Sequence, residues 1–369
     1  MTLYIGITIW LFILLLFSLK LYPAASAEGG PSAPRDNTGG RGRSVLSVLA
    51  LATLLFLWFL TAFRSARIGN DTQNYLMFFD LFSGGIDRQN RIEIGYQYLN
   101  FFISKITRDH HAFLIIISTI MYAGIGFYLY RYSVNPVVSL CLFFSFFFTV
   151  YASIIRQALA MLIALYGYQC LKNGKRIPAA LLFLTAMTFH ATAIVCFLLF
   201  FDFKFLQNKW IVIGFTLFCV LFSLSGTLKT IVNAIGPKYR QYFDSQYANS
   251  GRLAITYYML CYLSFYLLVN KSIDAAHRPD RTVTANFALL LVITAFGYAV
   301  NLFERASEYF MLVAVTELPN MLYRGKLKNH RLWILGICAV FLTMFILILI
   351  FRPGWNYMYP YEFWPGQGG

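Results

Sequence analysis

Apolar runs of about 20 residues recur along the whole 369-residue chain, and they constrain its fold more than any other feature. A helix rises about 1.5 Å per residue, so each run is long enough to cross a hydrocarbon core of about 30 Å. Inside lipid the backbone polar groups must be paired within the segment, and the runs lack the alternation of barrel strands. They therefore predict helical spans over 3–20, 44–63, 111–130, 135–151, 153–171, 208–228, 254–270, 283–302, 307–323 and 332–351.

The composition excludes a water-soluble fold. Only 12% of the residues are charged and 59% are hydrophobic, whereas about a quarter of a soluble domain is charged. The formal charge is +15, but the basic residues stand in short connections between spans, where they report topology and not nucleic-acid binding. We expect an all-α, polytopic transmembrane protein with a single integral membrane domain over 1–369.

The basic connections also predict an interrupted segment. The connections 172–176, 271–281 and 324–331 are all expected on the cytoplasmic side. Three segments lie between the first and the second of these connections, and three full crossings would put the two connections on opposite sides of the membrane. One of the three segments must therefore enter and leave on the same side. The candidate is 177–201, which has a polar break at Thr188-Phe189-His190. We predict a re-entrant or broken hairpin with His190 near its tip.

This topology assigns a side of the membrane to each polar segment. The Gly/Pro/Ser-rich stretch 23–43 is expected to be a flexible cytoplasmic loop. The loops 64–110 and 229–253 and the tail 353–369 are expected outside. The first span lacks a basic region before it, so we treat it as retained and not as a signal peptide.

One residue inside a predicted span and one in the broken hairpin are chemical candidates. Arg156 lies about one turn inside its span, where an arginine costs roughly 3 kcal/mol unless it meets a partner or a wet cavity. It either snorkels to the interface or binds an anion. His190 is either a hydrogen-bonded core histidine or a base that titrates near neutral pH.

The first external loop carries further candidates. Arg64 precedes a Gly69-Asn70 turn and Asp71, and such a loop can bind a sugar phosphate. Asp71 fits an N-cap, with Thr72 as the first helical residue, equally well. Further on, 93–106 predicts an amphipathic helix that starts at Glu93, whose carboxylate suits the helix dipole or a catalytic role.

Later segments offer weaker signals. Arg305 at the end of a predicted span either pairs with Glu308 or binds pyrophosphate. Tyr239 and Arg240 stand in an external loop where aromatic and basic residues alternate, and these aromatics either stack on sugars or form an interface belt. No phosphate-binding P-loop, HExxH or GxSxG motif is present, so we expect no nucleotide or other cofactor and no metal.

The order of several short motifs along the chain is familiar. From about 60 to 361 the chain resembles the EpsG family of the Wzy-type polysaccharide polymerases. The residues that carry this resemblance are Arg64 with Gly69-Asn70-Asp71-Thr72 and Tyr75, Glu93-x-Gly95-Tyr96, Ile155-Arg156-Gln157, Phe189-His190-Ala191-Thr192-Ala193, and Arg305 with Tyr309-Phe310.

The resemblance implies a metal-independent glycosyltransferase in the bacterial inner membrane, with its active site on the periplasmic face. It would transfer a growing glycan from undecaprenyl pyrophosphate to the nonreducing end of another lipid-linked repeat unit, as in O-antigen, capsule or exopolysaccharide assembly. The implied partners are the undecaprenyl-pyrophosphate-linked oligosaccharide and a chain-length regulator, with no nucleic acid. A flippase or transporter for the same lipid-linked sugars is the alternative from another class, and an O-antigen ligase is the nearest enzymatic one.

The implied chemistry assigns roles to the candidate residues. A glycosyl transfer from pyrophosphate needs cations for the leaving group and a base for the acceptor hydroxyl. The expected base is His190, with Asp71 and Glu93 as alternatives. The expected pyrophosphate ligands are Arg156 and Arg305, supported by Arg64; the weaker sugar-binding candidates are Gln157, Tyr75, Tyr96, Tyr239 and Arg240.

Overall fold

The computed structural model describes residues 1–22, 40–201, 204–227, 230–231, 234, 252–272, 281–299, 302–325, 327, 329–355 and 357–364. In this part of the chain the secondary structure is helical, and the pairing of extended backbone is limited to an isolated antiparallel bridge between Arg64 and Phe363. The prediction of an all-α fold is confirmed.

Each predicted span corresponds to a helix whose ends differ from the prediction by a few residues. The α-helices are α1 (Thr2–Leu21), α2 (Gly40–Ala62), α3 (Thr72–Ser83), α4 (Ile94–Ser104), α5 (His110–Tyr132), α6 (Pro136–Ser153), α7 (Ile155–Lys172), α8 (Arg176–Met187), α9 (Lys209–Leu224), α10 (Arg252–Ser272), α11 (Arg281–Phe296), α12 (Leu302–Arg324) and α13 (His330–Phe351). Short 3₁₀-helices cover Ala191–Phe200, Lys204–Gln207 and Pro353–Trp355.

Several helices have the length and apolarity of membrane spans. Among the described residues, five meet both requirements, namely Thr2–Leu21, Val45–Ala62, His110–Tyr132, Pro136–Ser153 and His330–Phe351. The apolar side chains on their outer faces are exposed, with 56% of Phe17, 64% of Val48 and 59% of Phe127 open. Large exposed apolar surfaces of this kind suit lipid and not water. The protein is an integral, polytopic membrane protein.

The described residues group into two compact units. The first comprises Met1–Ile163, Thr185–Ala191 and Lys328–Gly369, and the second comprises Ala164–Leu184 and Thr192–Leu327. The prediction of a single membrane domain over 1–369 stays a prediction. The predicted loop 23–43 lies outside the described residues up to position 39, as does most of 229–253.

The first unit is built around α6, which is the most buried of its spans. Asn135 caps this helix by accepting hydrogen bonds from the N–H groups of Val137 and Val138, and Pro136 occupies the first turn, where a missing N–H has no cost. Phenylalanines then fill the contacts with other helices; the ring of Phe144, for example, lies 4.4 Å from that of Phe345 on α13. The core of this unit is therefore aromatic.

The tail after α13 returns to the start of the first external loop. Ser65 donates a backbone hydrogen bond of 2.9 Å to Glu362, and Trp364 donates one of 3.0 Å to Phe63. Further along, the N–H of Gly69 bonds to the carbonyl of Tyr357 at 3.1 Å. These contacts fix the entry of the loop that leads to α3 and α4.

The predicted interruption of 177–201 is present. Helix α8 ends at Met187, residues 188–190 form a turn, and a 3₁₀-helix runs over Ala191–Phe200. In the second unit the two legs run back along each other, since Arg176 donates a 2.9 Å hydrogen bond to the carbonyl of Phe200. The broken hairpin is thus confirmed, and its re-entry into a membrane stays a prediction.

Candidate functional site

An ion pair joins two of the candidate residues in the first unit. Nη1 of Arg156 lies 2.5 Å from Oε2 of Glu93, and the two side chains are 22% and 19% exposed. Charge-assisted hydrogen bonds between a guanidinium and a carboxylate are among the stronger hydrogen bonds in proteins. Because both side chains keep some open surface, the pair can meet a ligand.

The chain breaks just before Arg156 for a local reason. Helix α6 ends at Ser153, Ile154 has non-helical dihedral angles, and α7 begins at Ile155. Arg156 is therefore in the first turn of α7, where the backbone N–H groups and the helix dipole also favour negative charge. A guanidinium and a positive helix end together suit an anionic group such as pyrophosphate.

The same carboxylate holds the turn of the broken hairpin. Oε1 of Glu93 accepts a 3.2 Å hydrogen bond from the N–H of Ala191, the residue that follows His190. The N–H of Gly95 donates a 2.8 Å hydrogen bond to the carbonyl of Thr188. Two contacts therefore fasten the turn 188–191 to the start of α4. His190, which is half-buried, stands between these two points.

Glu93 occupies the predicted position before its helix but does not act as a cap. It is the N-cap residue of α4, yet its side chain makes no capping hydrogen bond. Its carboxylate is committed to Arg156 and Ala191 instead. A purely local role at the helix start therefore does not describe this residue.

Asp71 is also in the predicted N-cap position, before α3, and it likewise makes no side-chain capping bond. Its charge acts on Tyr75, one turn further on. Burial, followed by this charge, raises the pKa of Tyr75 to about 12, and nearby Arg156 opposes the shift. Asp71 thus belongs to the same electrostatic neighbourhood as Arg156.

Tyr75 and Tyr96 lie inside the protein, with 2% and 0% of their surface exposed. Their rings meet edge to face at 5.9 Å, and the hydroxyl of Tyr75 is a hydrogen-bond partner of Arg156. In this conformation neither ring has an open face for a sugar, and their role as sugar contacts stays a prediction. Gln157, the neighbour of Arg156, is fully buried as well.

Arg64 is a buried cation in the first unit. It has no exposed surface, and Nη1 donates to the carbonyl of Thr61. Within the described part of the chain, its Nε and Nη2 atoms have no hydrogen-bond partner. The charged or polar groups that act on it are the hydroxyls of Tyr361, Tyr122, Tyr75 and Tyr96.

Burial lowers the pKa of Arg64 to about 10, and the surrounding tyrosines partly offset that effect. The side chain therefore keeps its charge at neutral pH. Arg64 has no open surface in this conformation, so its charge can act on the neighbouring tyrosines while its atoms stay covered.

Arg305 belongs to the second unit. It is exposed in the first turns of α12 and lies within electrostatic reach of Glu304 and Glu308. One turn from it, the hydroxyl of Tyr309 is hydrogen-bonded to that of Thr192 at 3.2 Å. Tyr239 and Arg240 lie outside the described residues.

Sequence reasoning missed two features of these units. It did not pair Glu93 with Arg156, because the two residues are 63 positions apart. It also missed an ion pair of 2.5 Å between Lys172 and Glu317 in the second unit. The one available signal was that each of these carboxylates stands beside or within an apolar helix, where a charge needs a partner.

In the described part of the chain, no three His, Cys, Asp or Glu side chains come together as a group that could hold a metal ion. The model of the EpsG family matches residues 47–363, which is most of the chain. No curated protein and no solved structure matches this chain.

Proposed function

The chain belongs to the EpsG family, and on that premise we propose that it is a polysaccharide polymerase that extends a lipid-linked glycan. Family membership supports a polymerase-like role in polysaccharide synthesis. The proposed donor is a growing glycan on undecaprenyl pyrophosphate, and the acceptor is the nonreducing-end hydroxyl of another lipid-linked repeat unit. The protein would act in the bacterial cytoplasmic membrane, with its site on the outer face and a chain-length regulator as partner.

The observation that carries this proposal is the link from Arg156 through Glu93 to the turn that holds His190. It ties Arg156 to the backbone next to His190, although the two segments are far apart in sequence, and this supports a site that contains a cation and a titratable base. A glycosyl transfer from pyrophosphate requires these two groups.

The reaction breaks the bond between the anomeric carbon and the pyrophosphate oxygen, and it forms a bond from that carbon to the acceptor oxygen. The electron pair of the broken bond stays on the pyrophosphate, where negative charge grows in the transition state. Arg156, with the N-terminal end of α7, stabilises that charge, since a guanidinium matches phosphate oxygens in two parallel hydrogen bonds.

The acceptor hydroxyl loses its proton as it attacks. His190 is the proposed base, because an imidazole titrates near neutral pH and stands in the turn beside Ala191. Glu93 orients both groups, because its carboxylate is already engaged with Arg156 and with the N–H of Ala191, and it remains an alternative base. Asp71 is the second choice of base, and Arg64 contributes charge from beneath the site.

The remaining candidates complete this proposal. Arg305, in the second unit, stays a proposed pyrophosphate ligand, while the hydroxyl of Tyr75 holds Arg156 and Tyr96 packs against the ring of Tyr75. Gln157, Tyr239 and Arg240 remain proposed sugar contacts.

The test is reconstitution of the purified protein with the lipid-linked repeat unit that accumulates in a host strain lacking it. Without metal or nucleotide, we expect a ladder of longer glycans on a gel. The Arg156→Lys variant should lose most of the ladder, because lysine cannot make the paired contacts. Arg131→Lys, at the far end of α5, is the matched control and should keep it.

Three outcomes would decide against the proposal or part of it. If the unit moves across the bilayer of a vesicle without new glycosidic bonds, the protein is a transporter. If glycan is joined only to lipid A core, it is a ligase. If His190→Ala extends glycans at the full rate, the base is another residue, and Asp71→Asn is the next variant to test.

A further inference from the structure

A cavity in the second unit is lined by two arginines. It has a volume of about 240 Å³ and lies where α8 and α11 begin and the 3₁₀-helix 191–200 ends. Arg176 and Arg281 both contribute to its wall, together with Phe200 and Gln207. Nothing in the proposed transfer reaction uses this cavity.

Arg176 is held at the cavity by its neighbours. Its Nη2 donates a 2.9 Å hydrogen bond to the carbonyl of Phe200, and its guanidinium lies 5.7 Å from the centre of the same ring. Because this hydrogen bond and this ring contact fix the guanidinium, its positive charge is already positioned at the cavity before a ligand binds. Arg281 is exposed at the first residue of α11.

A second, larger cavity adjoins the first, because Gln207 lines both. Its volume is about 830 Å³, and two lysines contribute to its wall, Lys209 at the start of α9 and Lys271 near the end of α10. Asn208 and Asn270 add polar groups to the same wall. We call the two together the basic cavity, defined by Arg176, Lys209, Lys271 and Arg281.

The wall of the basic cavity carries four cations among the described residues. None of the described residues in its wall is an aspartate or glutamate. In the sequence, the stretches 172–176, 201–210 and 271–281 together contain eight Lys and Arg and three Asp. One of the eight, Lys172, is already paired with Glu317. The region therefore attracts anions.

Large apolar side chains stand next to these cations. Phe201 is 59% exposed, Phe205 43% and Trp210 71%. Lys209 lies over the ring of Trp210 at 5.3 Å, so charge and apolar surface meet within one pair of residues. A tryptophan at such a boundary commonly sits at the headgroup level of a bilayer.

The geometry points to a binding site for an anionic phospholipid, whose phosphate lies among Arg176, Lys209, Lys271 and Arg281 and whose acyl chains cover Phe201, Phe205 and Trp210. The cations and the exposed apolar side chains form one continuous surface, so the ligand that fits it is an amphiphile. A soluble phosphate would bind the cations and leave the apolar side chains uncovered. Basic pockets between membrane helices on the cytoplasmic side suit lipid phosphates, and that is the side on which the basic connections are expected.

The first test counts lipids on the purified wild-type protein in detergent by native mass spectrometry. With equal amounts of phosphatidylglycerol and phosphatidylcholine added, the protein should retain phosphatidylglycerol in preference. The Arg176→Gln/Arg281→Gln double variant should weaken that retention by about 30-fold, since each lysine or arginine near an anionic surface adds about 1 kcal/mol, which is about a fivefold effect. Arg131→Gln, which removes an exposed arginine of the first unit, is the matched control.

Equal retention of both lipids by the wild type, or an equal loss in Arg131→Gln and the double variant, would overturn the site. A labelling experiment covers the case in which the double variant does not fold. A photoreactive phosphatidylglycerol should label wild-type peptides around 199–210, and inorganic phosphate in excess should not prevent it. Labelling only elsewhere, or complete protection by phosphate, would contradict a phospholipid site. Polymerisation plays no part in either readout, so Arg156→Lys should retain lipid as the wild type does.

Discussion

Oε2 of Glu93 lies 2.5 Å from Nη1 of Arg156, and the other oxygen of the same carboxylate accepts the N–H of Ala191 beside His190. One side chain thus positions the cation that would meet the pyrophosphate and the turn that carries the proposed base. A carboxylate that makes both contacts gives the site its geometry without touching the reacting atoms. We assign Glu93 a positioning role.

The first prediction concerns this link. Glu93→Gln keeps the shape but removes the charge, so Arg156 loses its ionic partner. A hydrogen bond to a charged group contributes about 1.5–3 kcal/mol, and we expect glycan extension to fall by about 10- to 100-fold. Gel ladders with the lipid-linked unit measure the rate. Asp87→Asn, an exposed carboxylate of the same loop, should extend at the wild-type rate, and an equal loss there would refute a specific role of Glu93.

The second prediction separates stability from function at Arg64. Burial lowers the pKa of this cation from 12.5 to about 10; below pH 10 the buried charge therefore costs stability, and the cost falls progressively as the pH rises from 10 to 12.5. The cost corresponds to about 3 kcal/mol. Arg64→Met should keep or raise the Tm and yet reduce glycan extension. The exposed Arg67→Met serves as control and should change neither. A lower Tm with normal extension in Arg64→Met would show that Arg64 is structural.

The third prediction tests the close approach of the hairpin turn to α4. A Cβ atom on Gly95 would stand 2.8 Å from the carbonyl oxygen of Thr188, the atom to which the N–H of Gly95 now donates. Gly95→Ala must therefore push the turn away from Glu93, at a cost of roughly 1–3 kcal/mol. Extension should fall together with the Tm. Gly84→Ala is the matched control, because its nearest neighbour would be 3.8 Å away; if both variants behave alike, the turn tolerates displacement.

The fourth prediction concerns the second unit. Nζ of Lys172 lies 2.5 Å from Glu317, and the two side chains are 16% and 4% exposed. Removing one partner of a buried ion pair leaves an uncompensated charge and costs about 3–5 kcal/mol. Glu317→Gln should therefore lower the Tm of the detergent-solubilised protein, and Glu317→Met combined with Lys172→Met should recover most of it.

The exposed pair between His110 and Asp80, 2.8 Å apart, provides the comparison. Asp80→Asn should cost less than about 1 kcal/mol, because solvent screens exposed charges. If Glu317→Gln is as stable as Asp80→Asn, the pair of Lys172 and Glu317 contributes little.

Local sequence information predicted most helices of this protein. Long apolar runs predicted the spans, and the polar break at Thr188-Phe189-His190 predicted the end of α8, because both are properties of contiguous residues. The amphipathic pattern of 93–106 likewise predicted α4. That pattern did not predict which face of α4 is buried in the protein.

In the structure the polar face of α4 is buried. Gln97 and Asn100 are 1% and 0% exposed, whereas Phe102 and Ile106 are 62% and 77% exposed. The amide of Gln97 bonds to the backbone of Asp87 and Ile92 at 3.0 and 2.7 Å. Buried amides need such partners, and the partners come from the preceding loop.

By itself, the sequence determined that the chain is a polytopic helical membrane protein with an interrupted hairpin and a set of ionisable residues in or beside its spans. These features follow from the free-energy cost of placing unpaired backbone groups and charges in lipid. Each short segment has to avoid that cost by its own residues, so its local sequence shows the result. Only the tertiary structure decided that Glu93 serves Arg156 and the turn of His190, and that Tyr361 of the tail lies beside Arg64. These pairings join segments 63 or more positions apart, and a local pattern does not encode which distant segments pack together.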